Sequence, residues 1–192
     1  MANNCYNFIS LEGDNKSIKE LAERLTDTYD KFEYLNGWCD YVLKIRDDFN
    51  YIKEEDKRDH YYYGSRWFDF DISVDDDCIT IQGDSAWSPM EKFTEDLCEV
   101  YNLSGRIEYE EVGFDFGGYA SYVGEEEVDS GHFTYMEWKY IEDRDYWLQE
   151  MLFKIESLDD EEDILNEFKE TSKYASKKDL DKLIFFSNLK LN

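Results

Sequence analysis

Cys78-Ile79-Thr80-Ile81-Gln82-Gly83-Asp84-Ser85-Ala86-Trp87-Ser88-Pro89-Met90-Glu91 is the stretch that decides the fold. Its isoleucines alternate with polar residues, which is the period of a half-buried strand. Pro89 suits the first position of a helix, and Ser88 followed by Glu91 predicts a capping box. Apolar residues then recur at helical spacing up to Tyr101. The stretch therefore predicts a strand that leads directly into a helix.

The segments around this joint predict further strands and helices. A short strand covers residues 4–12, and a helix covers 15–27 with a possible capping box at Ser17 and Glu20. A second amphipathic helix is indicated by the spacing of Trp38, Tyr41, Val42, Ile45, Phe49 and Ile52. Strands are predicted over 66–74 and 106–110, on either side of the joint.

This order predicts an α+β fold, the ferredoxin-like split βαβ arrangement, with helices on one face of an antiparallel sheet. Beyond residue 111 we expect extra strands, an acidic turn from Gly124 to Gly131, and a strand from Phe133 to Tyr140. The last segment is predicted to be helical. The interpretation is a domain over 1–141 with a helical insertion near 30–60, and a helical C-terminal extension over 142–192.

The composition is strongly acidic, with 47 acidic and 21 basic residues and a formal net charge of −26. Such a charge repels nucleic acid and anionic membranes and favours basic partners, although a solubilising surface is an equally good interpretation. Aromatic residues make up 18% of the chain, which excludes a disordered acidic protein. The sequence shows no signal peptide and no membrane-spanning stretch, so we expect a cytoplasmic protein. Its four cysteines are widely spread, which argues against a zinc or iron–sulfur site and favours free thiols.

Several short stretches resemble the YubB-like ferredoxin-like domain family, whose members are accessory proteins of phages, plasmids and other mobile elements. The similar stretches, which together span roughly residues 3–127, are Asn3-Asn4-Cys5-Tyr6-Asn7, Gly64-Ser65-Arg66-Trp67, Ala86-Trp87-Ser88-Pro89 and Glu111-Val112-Gly113-Phe114-Asp115-Phe116-Gly117-Gly118. The resemblance implies a ferredoxin-like fold and a mobile-element origin in a bacterial host. It implies no catalytic residues and no cofactor.

Candidate chemistry from the residues themselves is sparse. Asp69 and Asp71 on one strand face could hold Mg²⁺ or Ca²⁺, but they also fit the wet side of an antiparallel strand. His132 follows Asp129 by three residues, so a base–orienter pair is conceivable, but no nucleophile elbow accompanies it. An ordinary structural role fits both histidines, His60 and His132, better. We therefore expect no enzyme, no metal and no cofactor.

Trp67 and Trp87, predicted on strand faces among carboxylates, are good anchors for an arginine-rich protein surface, although both could instead pack internally. Two acidic runs could imitate DNA phosphates and block a nucleic-acid-binding defence protein of the host. The first run is Glu125-Glu126-Glu127-Val128-Asp129 and the second is Asp159-Asp160-Glu161-Glu162-Asp163. The predicted partner-binding residues are Trp67, Asp69, Asp71, Trp87, Glu125, Glu126, Glu127, Asp129, Asp159, Asp160, Glu161, Glu162 and Asp163.

Three hypotheses follow from the sequence. The first is a non-enzymatic accessory protein that binds a basic host protein, with DNA mimicry as its narrower form, and that does not itself bind nucleic acid or membrane. The second is an assembly protein that oligomerises through aromatic patches. The third is a metal-dependent enzyme that uses the Asp69 and Asp71 region. The first is preferred because of the charge.

Overall fold

The computed structural model describes residues 4–26, 35–45, 62–158 and 161–191. The chain divides into two compact units, Met1–His132 and Phe133–Asn192. The predicted division into domains at residue 141 stays a prediction. Among the residues that the structure describes, no helix is long and apolar enough to cross a membrane.

The first unit is built on a six-stranded antiparallel sheet in the order β2-β3-β1-β4-β5-β6. Its first four members in this order, β2-β3-β1-β4, form with their connecting helices the βαββαβ ferredoxin-like arrangement predicted from the sequence. The strands are β1 Asn4–Glu12, β2 Phe68–Val74, β3 Cys78–Ala86, β4 Ser104–Glu111, β5 Phe116–Val123 and β6 Glu126–Phe133.

Helices pack on one face of this sheet and bury its apolar side chains. They are α1 Asn15–Thr26, α2 Leu35–Val42 and α3 Glu91–Tyr101. Strand residues Ile9, Ile81 and Ile107 are fully buried together with Leu21 of α1 and Phe93 of α3. The other face of the sheet carries the alternate side chains of each strand.

The first turns of α1 and α3 do not have the predicted capping boxes. Asp14, not Ser17, caps α1, because its Oδ1 accepts from the backbone N–H groups of Lys16 and Ser17 at 3.0 and 3.1 Å. Ser88 Oγ donates to the Gly64 carbonyl instead of capping α3. The helix starts two residues later than the box requires, because Met90 and not Ser88 is the N-cap. Both predicted capping boxes, Ser17 with Glu20 and Ser88 with Glu91, are therefore wrong.

The helix predicted from Trp38 to Ile52 is shorter than expected. It ends at Val42, and Lys44 takes a left-handed conformation with φ of 59°. The N–H of Ile45 then donates to the Asp40 carbonyl at 2.9 Å, which is the closing bond of a Schellman motif. Ile45 is 52% exposed rather than buried on a helix face. The predicted positions Phe49 and Ile52 lie outside the described residues.

The acidic segment predicted as a turn is β6, and the strand predicted over 133–140 is wrong. Tyr135–Glu142 forms the helix α4. Thr134 Oγ1 accepts from the Glu137 N–H, and Glu137 Oε2 accepts from the Thr134 N–H at 2.9 Å, so both bonds of a capping box are present. That box outweighs the alternating pattern of the aromatic residues that follow it.

The second unit consists of helices, as predicted for the end of the chain. They are α4, α5 Arg144–Ser157, α6 Glu161–Thr171 and α7 Lys177–Leu191. Trp147, Met151, Ile155, Ile164 and Leu183 form their buried core. Arg144 donates two hydrogen bonds to the buried carboxylate of Asp179, at 2.7 and 2.6 Å, which ties the start of α5 to the start of α7.

Candidate functional site

The face of the sheet opposite α1 and α3 carries aromatic and acidic side chains together. Tyr6 and Phe8 point to this face from the strand β1, because their neighbours along the strand are buried on the helix side, namely Cys5, Asn7 and Ile9. Tyr6 is 42% exposed. We call this surface the open sheet face. Its charged and aromatic members on β1 to β5 are Tyr6, Phe8, Glu12, Asp69, Asp71, Asp84, Arg106, Glu108, Glu110 and Tyr119.

The strand register places these residues in two rows across the sheet. In the first row Asp69 pairs with Asp84, Asp84 with Tyr6, and Tyr6 with Glu110. In the second row Asp71 pairs with Gln82, Gln82 with Phe8, and Phe8 with Glu108. The result is a column of two aromatic rings with carboxylates on both sides.

Asp69 and Asp84 are like charges placed directly opposite each other on neighbouring strands. Such a pair destabilises a sheet, typically by a few tenths of a kcal/mol up to about 1 kcal/mol. Asp69 is exposed and Asp84 is half-buried. Asn4 Nδ2 donates to Asp84 Oδ2 at 3.4 Å, which offsets little of the repulsion. A residue choice that opposes local stability is a common mark of a functional surface.

Arg106 already shows how this surface holds a guanidinium group. Its Cζ lies 4.2 Å from the centre of the Tyr119 ring, and its Nε donates to Glu108 Oε1 at 2.8 Å. Its Nη1 also donates to Ser121 Oγ at 3.1 Å. One aromatic ring and one carboxylate of the open sheet face together bind one arginine.

Among the predicted partner-binding residues whose side chains the structure describes, only Asp69 and Asp71 lie on the open sheet face. Both are exposed on β2. Trp67 and Trp87 are not on strands, contrary to the prediction, because β2 begins at Phe68 and β3 ends at Ala86. Both indoles are half-buried, and Trp87 has a positive φ of 64°.

The first predicted acidic run lies at an edge of the sheet. Glu126, Glu127 and Asp129 are exposed on β6, and Glu125 is exposed in the turn before it. In the second run Asp163 is exposed on α6. The others are outside what the structure describes: Asp159 and Asp160 entirely, and Glu161 and Glu162 in their side chains. The two runs belong to different compact units.

His132 does not form the base–orienter pair with Asp129 that the sequence made conceivable. Since three residues separate it from Asp129 along β6, the two side chains point to opposite sides of the strand. Its Nδ1 is hydrogen-bonded to the Tyr109 hydroxyl, and its Nε2 lies 3.9 Å from Glu91 Oε1. Burial and the charge of Glu91 raise the pKa of the Tyr109 phenol. His60 lies outside the described residues. Among described side chains, no group of three or more His, Cys, Asp or Glu could hold a metal ion.

Sequence reasoning missed the central members of this site, namely Tyr6, Phe8, Asp84, Arg106 and Glu108. For Arg106 and Glu108 the alternation with Ile107 and Tyr109 was visible in the sequence. In β1 the polar Asn7 stands between Tyr6 and Phe8, so the pattern does not show that Asn7 lies on the buried side. The sequence also did not supply the register that places Tyr6 opposite Asp84 and Glu110.

Comparison with known proteins gives one family. Residues 49–168 match the family described as the ferredoxin-like domain in Api92-like protein. No curated protein and no solved structure matches the chain. The family match confirms the ferredoxin-like fold that the sequence predicted.

Proposed function

Since the chain belongs to the family of ferredoxin-like domains in Api92-like proteins, we propose that it is a non-enzymatic accessory protein that binds a basic protein of its host through the open sheet face. The setting we propose is the cytoplasm of a bacterium that carries a phage, plasmid or other mobile element, as the YubB-like resemblance implies. The family description itself names a fold and no activity.

The observation that carries the proposal is the opposition of Asp69 and Asp84 beside the exposed ring of Tyr6. An acidic surface that served only solubility would have no need to place carboxylates where they repel each other across a strand pair. An approaching cation relieves that repulsion, so binding of a basic partner recovers free energy that folding has lost.

The distribution of charge supports the same conclusion. Of the 47 acidic residues 32 lie in the first unit, against 12 of the 21 basic ones. The excess of negative charge is therefore concentrated in the unit that carries the open sheet face. Such a field attracts basic proteins over about a Debye length and raises their association rate.

The test is a binding experiment with a matched pair of variants. Asp69→Asn removes one charge from the open sheet face, and Glu99→Gln removes one exposed charge from α3, on the other side of the sheet. Each immobilised full-length protein is incubated with bacterial lysate at low and raised salt, and the retained proteins are identified. We expect the wild type and Glu99→Gln to retain the same basic nucleic-acid-binding protein, and Asp69→Asn to retain clearly less of it.

Stability gives a second readout of the same variants. Because Asp69→Asn relieves repulsion, we expect it to raise the free energy of unfolding by a few tenths of a kcal/mol up to about 1 kcal/mol while it weakens binding. Retention of no basic protein, or equal retention by Asp69→Asn and the wild type, would overturn the proposal.

DNA mimicry is the narrower form of this proposal. It needs the retained protein to be released by DNA, because a mimic and DNA compete for one surface. Exposed carboxylates of β6 support it, since Glu127 and Asp129 stand on one side of an extended strand and form part of a negatively charged edge. Titration of the retained complex with duplex DNA tests it, and a complex unaffected by DNA would exclude mimicry while leaving protein binding intact.

A further inference from the structure

The open sheet face has the geometry of a receptor for arginine rather than for cations in general. Tyr6 and Phe8 are two residues apart on β1, so their rings stand about 7 Å apart along the strand. Neighbouring strands lie about 4.8 Å apart, which places Asp84 beside Tyr6, within reach of a guanidinium stacked on its ring, and Glu110 on the opposite neighbouring strand. Phe8 has Glu108, whose Oε1 accepts from Arg106, on one side and, across Gln82, Asp71 on the other.

We infer that the open sheet face binds the arginine side chains of an extended basic segment, with guanidinium groups stacked on Tyr6 and Phe8 and hydrogen-bonded to the carboxylates beside them. This inference rests on the proposed function and names the chemistry of its partner. Alternate residues of an extended segment are also about 7 Å apart, so an Arg-x-Arg sequence places successive guanidinium groups over the two rings.

Arg106 is the internal precedent for this arrangement. Its guanidinium stacks on Tyr119 and is held by Glu108, on the same face and one strand away from Phe8. A guanidinium is planar, stacks on aromatic rings and donates in a fork that matches carboxylates, whereas an ammonium group is a compact and strongly hydrated point charge. The same side chains therefore discriminate between the two cations.

Charge excludes the other class of ligand that stacks on sheet aromatics. Nucleic-acid bases stack on such rings in some sheet-based modules, but those surfaces neutralise phosphates with lysine and arginine. Here one basic side chain, Arg106, is outnumbered by the acidic side chains around Tyr6 and Phe8, which repel phosphates: Asp69, Asp84, Glu108 and Glu110. A basic peptide satisfies both the rings and the carboxylates.

Two peptides of equal charge test the inference on the full-length protein. One is an acetylated peptide of alternating arginine and glycine, and the other has lysine in place of each arginine. Their affinities are measured by calorimetry at one salt concentration, and amide chemical-shift changes locate the binding site. We expect the arginine peptide to bind about tenfold more tightly, because stacking of two guanidinium groups on the exposed Tyr6 ring and the half-buried Phe8 ring contributes about 1 to 2 kcal/mol.

Variants that keep bulk but remove the aromatic face separate stacking from charge. We expect Tyr6→Leu and Phe8→Leu, each checked for unchanged circular dichroism, to lower the affinity for the arginine peptide toward that for the lysine peptide. Asp69→Asn should weaken both peptides by a similar factor. Shift changes should be largest in β1, β3 and β4.

Three results would overturn the inference. They are equal affinity of the two peptides, an arginine preference that survives in both leucine variants, and shift changes confined to the helices. None of them would contradict the proposed function as long as Asp69→Asn still retains less of the lysate protein than the wild type does. Equal retention by Asp69→Asn and the wild type would instead contradict the proposed function, whatever the peptide affinities are.

Discussion

The backbone N–H of Met90, the N-cap residue of α3, donates a hydrogen bond of 2.9 Å to the side-chain oxygen of Asn7 on β1. The amide nitrogen of Asn7 donates at 2.8 Å to both the Cys5 carbonyl and Ser85 Oγ on β3. Asn7 is fully buried. One side chain of the central strand therefore ties the start of α3 to β1 and β3.

Replacing Asn7 should strongly destabilise the first unit. We expect Asn7→Ala to lower the free energy of unfolding by about 2 to 3 kcal/mol, because it leaves the buried N–H of Met90 and the hydroxyl of Ser85 without this partner. Urea unfolding followed by circular dichroism measures the change. Asn4→Ala, an exposed asparagine on the same strand, should cost much less. Equal losses in the two variants would show that Asn7 does not hold the helix.

Gly118 should tolerate no side chain, because β5 and β6 approach each other closely there. A Cβ at this position would lie 2.3 Å from the Gly131 carbonyl oxygen and 2.7 Å from the Tyr109 hydroxyl. We expect Gly118→Ala to separate the edge strand β6 from the sheet. Amide hydrogen exchange should therefore accelerate over residues 126–132 and stay unchanged in β1 and β3. Ser121→Ala, on the outer face of β5, is the control, and unchanged exchange in β6 of Gly118→Ala would refute the prediction.

The carboxylate of Asp179 should make the second unit sensitive to acid. Hydrogen bonds from Arg144 lower the pKa of Asp179 from its ordinary value of 3.8 to about 2. A lowered folded-state pKa contributes stability that is present above the unfolded-state value and is lost as the pH falls toward the folded-state value. The contribution is about 2 kcal/mol near neutral pH, and about half of it should be gone by about pH 3.

Asp179→Asn isolates this contribution from those of the other acids. Urea unfolding of the full chain is measured at about pH 6 and about pH 3 for the wild type, Asp179→Asn and Asp181→Asn. The difference between the wild type and Asp179→Asn should shrink on acidification. Asp181 is exposed on the same helix, so its variant should stay close to the wild type throughout. A pH-independent difference for Asp179→Asn would contradict the assignment.

The four free cysteines should differ sharply in reactivity. Cys5, Cys39 and Cys98 are fully buried, and burial raises the pKa of Cys5 and of Cys98 to about 12. At neutral pH Cys5 and Cys98 then each have a thiolate fraction about 10³ lower than that of an ordinary cysteine. Cys78 is half-buried at the start of β3, although burial and Asp75 raise its pKa as well.

We therefore expect a thiol reagent at neutral pH to modify Cys78 first in the folded protein. Mass spectrometry of timed samples identifies the site, and Cys78→Ser should remove the fast phase without changing the slow ones. In urea all four thiols should react together. Early labelling of Cys5, Cys39 or Cys98 in the folded protein would show that the core opens more readily than its burial indicates.

The sequence was sufficient to predict the βαββαβ order because alternation and helical spacing are strong in β1, β3 and α3. The helix starts were harder to predict, because Ser17 and Ser88 fit the spacing of a capping box. In the folded chain Asp14 caps α1, and the distant Asn7 holds the N-cap residue of α3. Asn7 is 83 residues away from Met90, so no local pattern could reveal their bond. The family match confirmed the fold and added no site residue.

The error at residues 126–142 has a similar cause. Aromatic residues that alternate with charged ones favoured a strand over 133–140, while the Thr134 and Glu137 pair that starts α4 was overlooked. For the site, the acids of β2 were predicted and the rings of β1 were not. Cross-strand neighbours depend on the pairing register, which the alternation of a single strand does not contain.

Carboxylates along β6 also have a consequence for the protein's behaviour at high concentration. A strand at the rim of a sheet offers backbone groups to any similar strand that approaches, and this is a common route to fibrils. Glu126, Glu127 and Asp129 make two such rims of this protein repel each other. The same rim stays accessible to a cationic chain. Its carboxylates therefore hinder pairing of β6 with a second copy of this protein but allow pairing with a basic segment of another protein.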